Sequence, residues 1–329
     1  MDTLAHTPTS ATAPQQGSRA GSGGPTTGPH HLSAGLDIGG TKVEGVLLDA
    51  EGKILASETR PTIRGPEGVA DTALAVLASM LSSIEATHKH CAGIGVGIPG
   101  LIDTSTGTVR NAVNLDVEEL PLGQILESAT LLPSTIDNDV NVAALGAVHA
   151  LGVDGRAVYL NIGTGMAAAL VSNGHLCQGA TGAAGEIGHL PVNPAGRPCK
   201  CGQVGCIETM ASGGAIAELW PSSELHPSDA LLAAAELGDP EATQIFGGVA
   251  DGIAQAIRVI FLTYDPDLVI LGGGLRRLGG PLFDRIAQTI AGWEESSPFI
   301  SSLKMWERTQ VLPDRIAAGA VGAALMSRS

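Results

Sequence analysis

Apolar positions in this chain recur every second residue in some stretches and every three or four in others. Residues 36–49 read as a strand, a turn at Gly39-Gly40, and a second strand through Val43, Val46, Leu47 and Leu48. Glu51-Gly52 then turns the chain into a strand at 53–59. The window 67–87 carries Val69, Leu74, Val76, Leu77, Leu81 and Ile84 on one broad helical face. A buried strand at 93–98 alternates Ile94, Val96 and Ile98 with Gly and stops at Pro99-Gly100. A short strand at 134–137 leads into an Ala-rich helix at 138–151, and 157–165 with 166–172 form a second strand, Gly turn and strand. Val249, Ile253, Ile257, Ile260 and Phe261 mark a helix over 248–263. A strand at 268–271 ends at Gly272-Gly273-Gly274, and a short strand at 310–312 precedes a last helix at 314–327.

Alternating strands and helices predict α/β layers. Segments 35–48 and 160–171 share one pattern: an apolar strand, a turn containing Gly and Thr, an apolar strand. Such a duplication predicts two hairpins facing each other across a cleft. The Gly- and Cys-rich stretch 179–208 has no regular period and is long for a loop, so something must hold it. Residues 1–32, rich in Gly, Pro, Ser and Thr, read as a disordered tail that includes His30 and His31.

Composition narrows the function. A chain of 329 residues holds one large domain or two medium ones. With 3% aromatics and 45 Gly, its core must be built from aliphatic residues and Ala. A net charge of −15 argues against nucleic acid as a partner but leaves room for a nucleotide held by backbone amides and a metal. No apolar run reaches the ~18 residues of a membrane span. Residues 1–20 lack a signal-peptide core, so a cytoplasmic location with reduced thiols is expected.

Two glycine motifs mislead. Residues 95–100 match G-x-G-x-x-G, but Pro99-Gly100 leads into LIDTSTGTV, which reads as turn and strand where a dinucleotide fingerprint requires a helix. GLDIGGTK has Thr before Lys and continues into a strand, unlike a P-loop. Its chemistry is different. Small residues let backbone N–H groups approach phosphate, Asp37 can hold magnesium, and Thr41 and Lys42 can reach phosphate oxygens. Paired with the Gly163-Thr164-Gly165 turn, it predicts a clamp for a triphosphate.

Asp137-Asn138-Asp139-Val140-Asn141 lies at a strand-to-helix junction. Helix capping would explain Asn138 and Asp139 singly. A polar cluster at the C-terminal end of a strand also fits a ligand site, where a carboxylate accepts a proton from an attacking hydroxyl. His189 with Cys199, Cys201 and Cys206 supplies three thiols and an imidazole, the closed donor set of structural zinc. A redox role or coincidence is the alternative for these thiols. A metal there would hold the 179–208 loop and place Glu186 and Glu208 beside it.

The stretches LDIGGTK, GVGIPG, NAVNLD, IDNDVNVAALGA, NIGTGM, GAAGEIGHL, CKCGQVGCIE and DLVILGGGL together resemble the ROK family of sugar kinases and sugar-responsive repressors, over roughly residues 34–325. The resemblance implies an actin-like, hexokinase-type (ribonuclease H-like) α/β fold of two domains with a cleft between them. The division expected is 33–137, with a C-terminal helix at 314–329 packing back onto it, and 138–313, which carries the zinc loop. The resemblance makes Asp139 the general base and gives the sugar hydroxyls to Asn138, Glu186, His189 and Glu208. Asp37 would assist Mg2+. Gly39, Gly40, Thr41, Lys42, Gly163, Thr164 and Gly165 would surround the phosphates of ATP, and Gly272, Gly273 and Gly274 would line the adenosine side. Zn2+ would be structural.

The run Met166-Ala167-Ala168-Ala169 departs from the family, where more Gly is usual, and predicts a stiffer second turn. A family repressor would carry an N-terminal helix-turn-helix; here 32 residues with one Arg and no Lys precede the first strand. A non-catalytic binding protein is opposed by the intact Asp139 and both phosphate turns. The expected reaction is ATP-dependent phosphorylation of a hexose, glucose first, with N-acetylglucosamine, N-acetylmannosamine, mannose and fructose as alternatives and polyphosphate as an alternative donor. A homodimer or homotetramer is expected.

Overall fold

The computed structural model describes residues 32–223 and 226–328. Residues 1–31, with His30 and His31, lie outside the described residues. Leu32, assigned above to the tail, instead opens the first strand. The first part of the chain forms β1 (Leu32–Ile38), β2 (Lys42–Leu48), β3 (Ile54–Pro61), α1 (Pro66–Ser83), β4 (Cys91–Ile98), β5 (Leu101–Asp103), β6 (Thr108–Ala112), β7 (Val117–Leu120), α2 (Leu122–Thr130), β8 (Ser134–Asn138) and α3 (Asp139–Leu151). The second forms β9 (Arg156–Ile162), β10 (Met166–Ser172), β11 (His175–Leu176), α4 (Gly213–Leu219), α5 (Pro227–Glu236), α6 (Pro240–Tyr264), β12 (Leu268–Gly272), α7 (Gly279–Ser296), α8 (Pro298–Ser302), β13 (Thr309–Val311) and α9 (Ala318–Met326).

Two sheets share one plan. The orders are β3-β2-β1-β4-β8 and β11-β10-β9-β12-β13. In each, an antiparallel hairpin is extended by two parallel strands: β1–β2 by β4 and β8, and β9–β10 by β12 and β13. The repeated hairpin of the sequence thus occupies equivalent positions in the two sheets. A third sheet, β5-β6-β7, follows the Pro99-Gly100 turn. Its strands are three to five residues long, and the pattern reading reached only the first part of it. No helix opens at residue 100, as the rejected dinucleotide motif would require.

Strand alternation sorts the second sheet's faces. Val158, Leu160 and Ile162 of β9 pack with Val249, Ile253, Ile257 and Ile260 of α6, and each buried aliphatic contributes roughly 1.5–3 kcal/mol. Ala157 and Tyr159 face the other way, against Val140, Ala144 and Ala147 of α3. Helix α6 begins eight residues before the apolar stripe that predicted it. Asp239 caps it by accepting from Ala242 N at 2.9 Å, and Pro240 fills its first turn. Its 25 residues are long and apolar enough, by composition, to cross a membrane, but its apolar stripe is buried in this core.

Helix α9 lies between β1 and β4 on one side and α3 on the other, and α3 in turn rests on the second sheet. Four glycines set the spacing. Gly35 and Gly95 are register partners on β1 and β4. A Cβ at either would run into the Ala320 or Ala323 carbonyl of α9. Across the helix pair, a Cβ on Gly146 would meet the Ala318 carbonyl, and one on Gly322 the Val142 carbonyl. The backbones are in contact there, with no side chain between them.

Gly322→Ala is therefore expected to destabilise the protein by ~3 kcal/mol or more, at or beyond the upper end of ordinary overpacking. Gly292→Ala, where a Cβ meets nothing within 4 Å, should be neutral or stabilise by about 0.4–1 kcal/mol. Urea midpoints of the two variants check this.

Candidate active site

The start of α3 separates two cavities. Asn138 is its N-cap, and its Oδ1 accepts from Val140 N at 2.9 Å. The capping reading of Asn138 is thus correct as far as it goes. Asp139 Oδ1 accepts from the same N–H at 3.0 Å. Burial and the nearby Glu186 hold the Asp139 carboxyl above its ordinary range, against the pull of that backbone donor. Behind it, buried Asp137 accepts from Asn138 N (2.7 Å), Asn141 Nδ2 (2.9 Å) and Gln178 Nε2 (2.6 Å).

The first cavity, about 350 Å³, is lined by Asp37, Lys42, Glu44, Asp139, Asn161, Tyr159, Gly273, Gly274 and Arg276, and by the residues entering α9. Asp37 sits opposite Glu44 on the β1–β2 ladder. Burial, then Asp139 and Glu44, push the Asp37 carboxyl up to about 7, with Lys42 opposing. A Cβ on Gly319 would overlap that carboxyl, so the start of α9 forms its wall. Three carboxylates in one recess are a site short of positive charge. The second cavity, about 620 Å³, is lined by 100–105, Asn138, Asn141, Gln178, Thr181 and Glu186. Val140 lines both.

The two Gly-Thr turns sit at the ends of their hairpins without lining either cavity. Gly39 N donates to Lys42 O, and Thr62 Oγ1 donates to Gly39 O at 2.6 Å. The second turn is braced from α4, where Gly213 N and Gly214 N donate to Gly163 O and Thr164 O. The amides of Gly40, Thr41 and Thr164 have no hydrogen-bond partner among the described residues, which leaves donors suited to an anion. Gly165 abuts Glu208, whose Oε2 accepts from Met166 N at 3.2 Å. Gly272 ends β12 against Tyr159, and Gly273 turns the chain with φ 83°.

His189, Cys199, Cys201 and Cys206 converge, with all four donor atoms within 4.8 Å of one another. Cys201 Sγ and Cys206 Sγ are 3.7 Å apart, and His189 Nδ1 lies 3.6 Å from Cys199 Sγ. Metal–sulfur bonds of about 2.3 Å in a tetrahedron place neighbouring sulfurs about 3.8 Å apart, so the cluster has the dimensions of a zinc site. Gly202 and Gly205, at φ 91° and 78°, turn the ligand loop. Gln203 Nε2 donates to Cys201 Sγ at 3.4 Å, and its hydrogen bonds hold that thiol down at about 6. Burial pushes the Cys206 thiol up to about 12. Beyond the cluster, Glu208 Oε1 approaches His189 Nδ1 at 3.7 Å, and Glu186 Oε2 approaches Nε2 at 3.8 Å.

A family model described as "ROK family" matches residues 33–329. The chain belongs to the ROK family. Its curated relatives include a glucokinase of Halalkalibacterium halodurans, 33% identical over 77% of this chain and 83% of that protein. An N-acetylmannosamine kinase of Escherichia coli O139:H28 is 32% identical over 89% of this chain and 97% of its own length. Among solved structures, a ROK family glucokinase from Streptomyces griseus in complex with glucose and AMPPNP is 29% identical, with TM-score 0.70, covering 90% of this chain and 99% of that one. The actin-like, hexokinase-type fold expected above is the fold of these ROK proteins.

Of the residues singled out from sequence, this ROK chain gathers Asp37, Lys42, Asp139, Gly273 and Gly274 at one cavity and Asn138 and Glu186 at the other. His189 and Glu208 join the Cys cluster. Asp137 belongs to the polar cluster singled out at the strand-to-helix junction, without a role of its own. Sequence reasoning missed Glu44, Tyr159, Gln178 and Arg276. Strand alternation after Lys42 was a usable signal for Glu44; nothing local marked the other three.

A zinc content of about one per chain is expected, measured by elemental analysis of purified protein. Cys201→Ser should lose the metal and lower the melting temperature by several degrees.

Proposed function

We propose that this ROK protein is an ATP-dependent sugar kinase that phosphorylates a hexose hydroxyl, with glucose as the first substrate to test. The observation that carries the reading is the position of Asp139 on the wall between an acidic recess and a polar recess. Phosphoryl transfer needs an acceptor hydroxyl, a proton acceptor and the donor phosphate brought into line.

In this reading Asn138, Glu186, His189 and Glu208 bind the sugar hydroxyls. Asp139 accepts the proton of the attacking hydroxyl; its raised basicity suits that role. The sugar oxygen bonds to the γ-phosphorus of ATP, and the bond to the β–γ bridging oxygen breaks, its electron pair leaving with ADP. The free amides of the turns at 39–42 and 163–165 hold the phosphates, and Gly272, Gly273 and Gly274 flank the nucleoside. Asp37 would hold Mg2+, which would supply charge neutralisation along the phosphate chain. His189, Cys199, Cys201 and Cys206 would hold Zn2+ in a purely structural role, which would fix the 179–208 loop and orient the His189 ring beside the sugar.

Residues 33–137 and 138–313 would act as two domains closing on the cleft, with 314–329 belonging to the first. Closure excludes water and favours transfer to sugar over hydrolysis. A cytoplasmic location, where ATP is available and thiols stay reduced, accompanies this reading, as does a homodimer or homotetramer. A second acceptor, N-acetylmannosamine, is favoured by the 32% identical kinase for that sugar.

ADP release is to be measured with ATP and Mg2+ on glucose, mannose, fructose, N-acetylglucosamine and N-acetylmannosamine. One sugar should support turnover of roughly 1–100 per second. Asp139→Asn is expected to lower kcat by about 10²-fold or more while leaving sugar binding measurable by calorimetry. A kcat within a few-fold of wild type would rule out the base assignment.

A further inference from the structure

Among the described residues two cations line the acidic recess, and they are unequal. Lys42 has a side chain 57% exposed and is paired at 2.8 Å with Glu44. Arg276 lies on the turn just after the Gly272-Gly273-Gly274 run, with a side chain 21% exposed. Its Nη1 donates to Leu312 O at 2.9 Å, and its Nε meets Asp314 Oδ1 at 3.2 Å. Asp314 is itself 86% exposed, so this ion pair is weak and easily exchanged. Nη2 has no hydrogen-bond partner among the described residues and is not among the buried unsatisfied atoms, while Arg276 lines the recess with Asp37, Lys42 and Asp139.

We propose that Arg276 is a donor-binding residue, whose guanidinium, held at one edge by the Leu312 carbonyl, grips the phosphoanhydride chain of the phosphoryl donor. The inference rests on the kinase reading and adds to it. A chain of several negative charges entering beside Asp37, Glu44 and Asp139 requires a fixed, poorly solvated cation. A planar guanidinium with free N–H groups matches phosphate oxygens better than a solvated ammonium does. The Leu312 contact pre-orients it, so little side-chain freedom is lost on binding, and the weak Asp314 pair is readily exchanged for phosphate.

Three proteins separate this from a structural role: wild type, Arg276→Gln and Asp314→Ala. The probes are a non-hydrolysable ATP analogue with Mg2+, and inorganic tripolyphosphate with Mg2+, each titrated by calorimetry. Arg276→Gln should weaken both by tenfold or more. It should raise the KM for ATP similarly, with the sugar KM unchanged and kcat within about threefold. Asp314→Ala should leave donor affinity the same or tighter, because it releases the guanidinium.

An Asp314→Ala protein that reproduces the Arg276→Gln loss would show that the residue merely ties down the chain after β13, and overturns the proposal. Loss for the ATP analogue without loss for tripolyphosphate would place Arg276 on the nucleoside and also overturns it. Wild-type protein that binds neither probe defeats the kinase reading and this one together. Wild-type protein that binds them while Arg276→Gln binds equally well defeats this inference alone.

Discussion

The structure depends on backbone touching backbone along α9. That helix reaches β1 and β4 because Gly35 and Gly95 lack side chains, and it reaches α3 because Gly146 and Gly322 do. Dense packing turns such a contact into a distance constraint: any added atom must displace main chain. Asp37 lies one residue before the end of β1 and Asp139 begins α3, and the two strand-and-helix units that carry them meet through α9. The separation of the two carboxylates is therefore set by glycines that take no part in chemistry.

That arrangement explains the electrostatics of the recess. Packing holds Asp37, Glu44 and Asp139 together, and burial lifts the Asp37 carboxyl to about 7. Lys42 and Arg276 do not offset three carboxylates, and the Asp37 carboxyl lies at the edge of neutrality near physiological pH. A bare polyanion would add to that repulsion. A cation accompanying the phosphates would relieve it and would favour the charged form of Asp37. In the kinase reading proposed above, the acidic recess and an anionic substrate are compatible once the metal is counted with the substrate.

Much of this was legible in the sequence, for identifiable reasons. The two hairpins show because strand alternation and a Gly-Thr turn coincide at 36–49 and at 157–172. The Cys cluster shows because three thiols and a histidine have few other uses in one loop. The core of α6 shows because its stripe holds a helical period; its start does not show, because Gly247-Gly248 interrupt the pattern although Ala242 and Phe246 carry the buried face on before them. The small third sheet shows only in its first part: β5, β6 and β7 are too short to establish a period. Tyr159, Gln178 and Arg276 do not show at the site. Each arrives by tertiary placement, Tyr159 from the inner face of a core strand and Arg276 from a turn across the sheet. The hydrogen bond from Gln178 to Asp137 spans 41 positions of chain.

The wall of the Asp37 recess also fixes when the site can exist. Gly319, at the start of α9, abuts the Asp37 carboxyl, and α9 follows every strand of both sheets in the chain. Until residues 318–326 dock, the β1–β4 trough lies open and the recess lacks one side. A chain without that docking holds both carboxylates but not the spacing between them, so the docking of α9 is the step that completes the site.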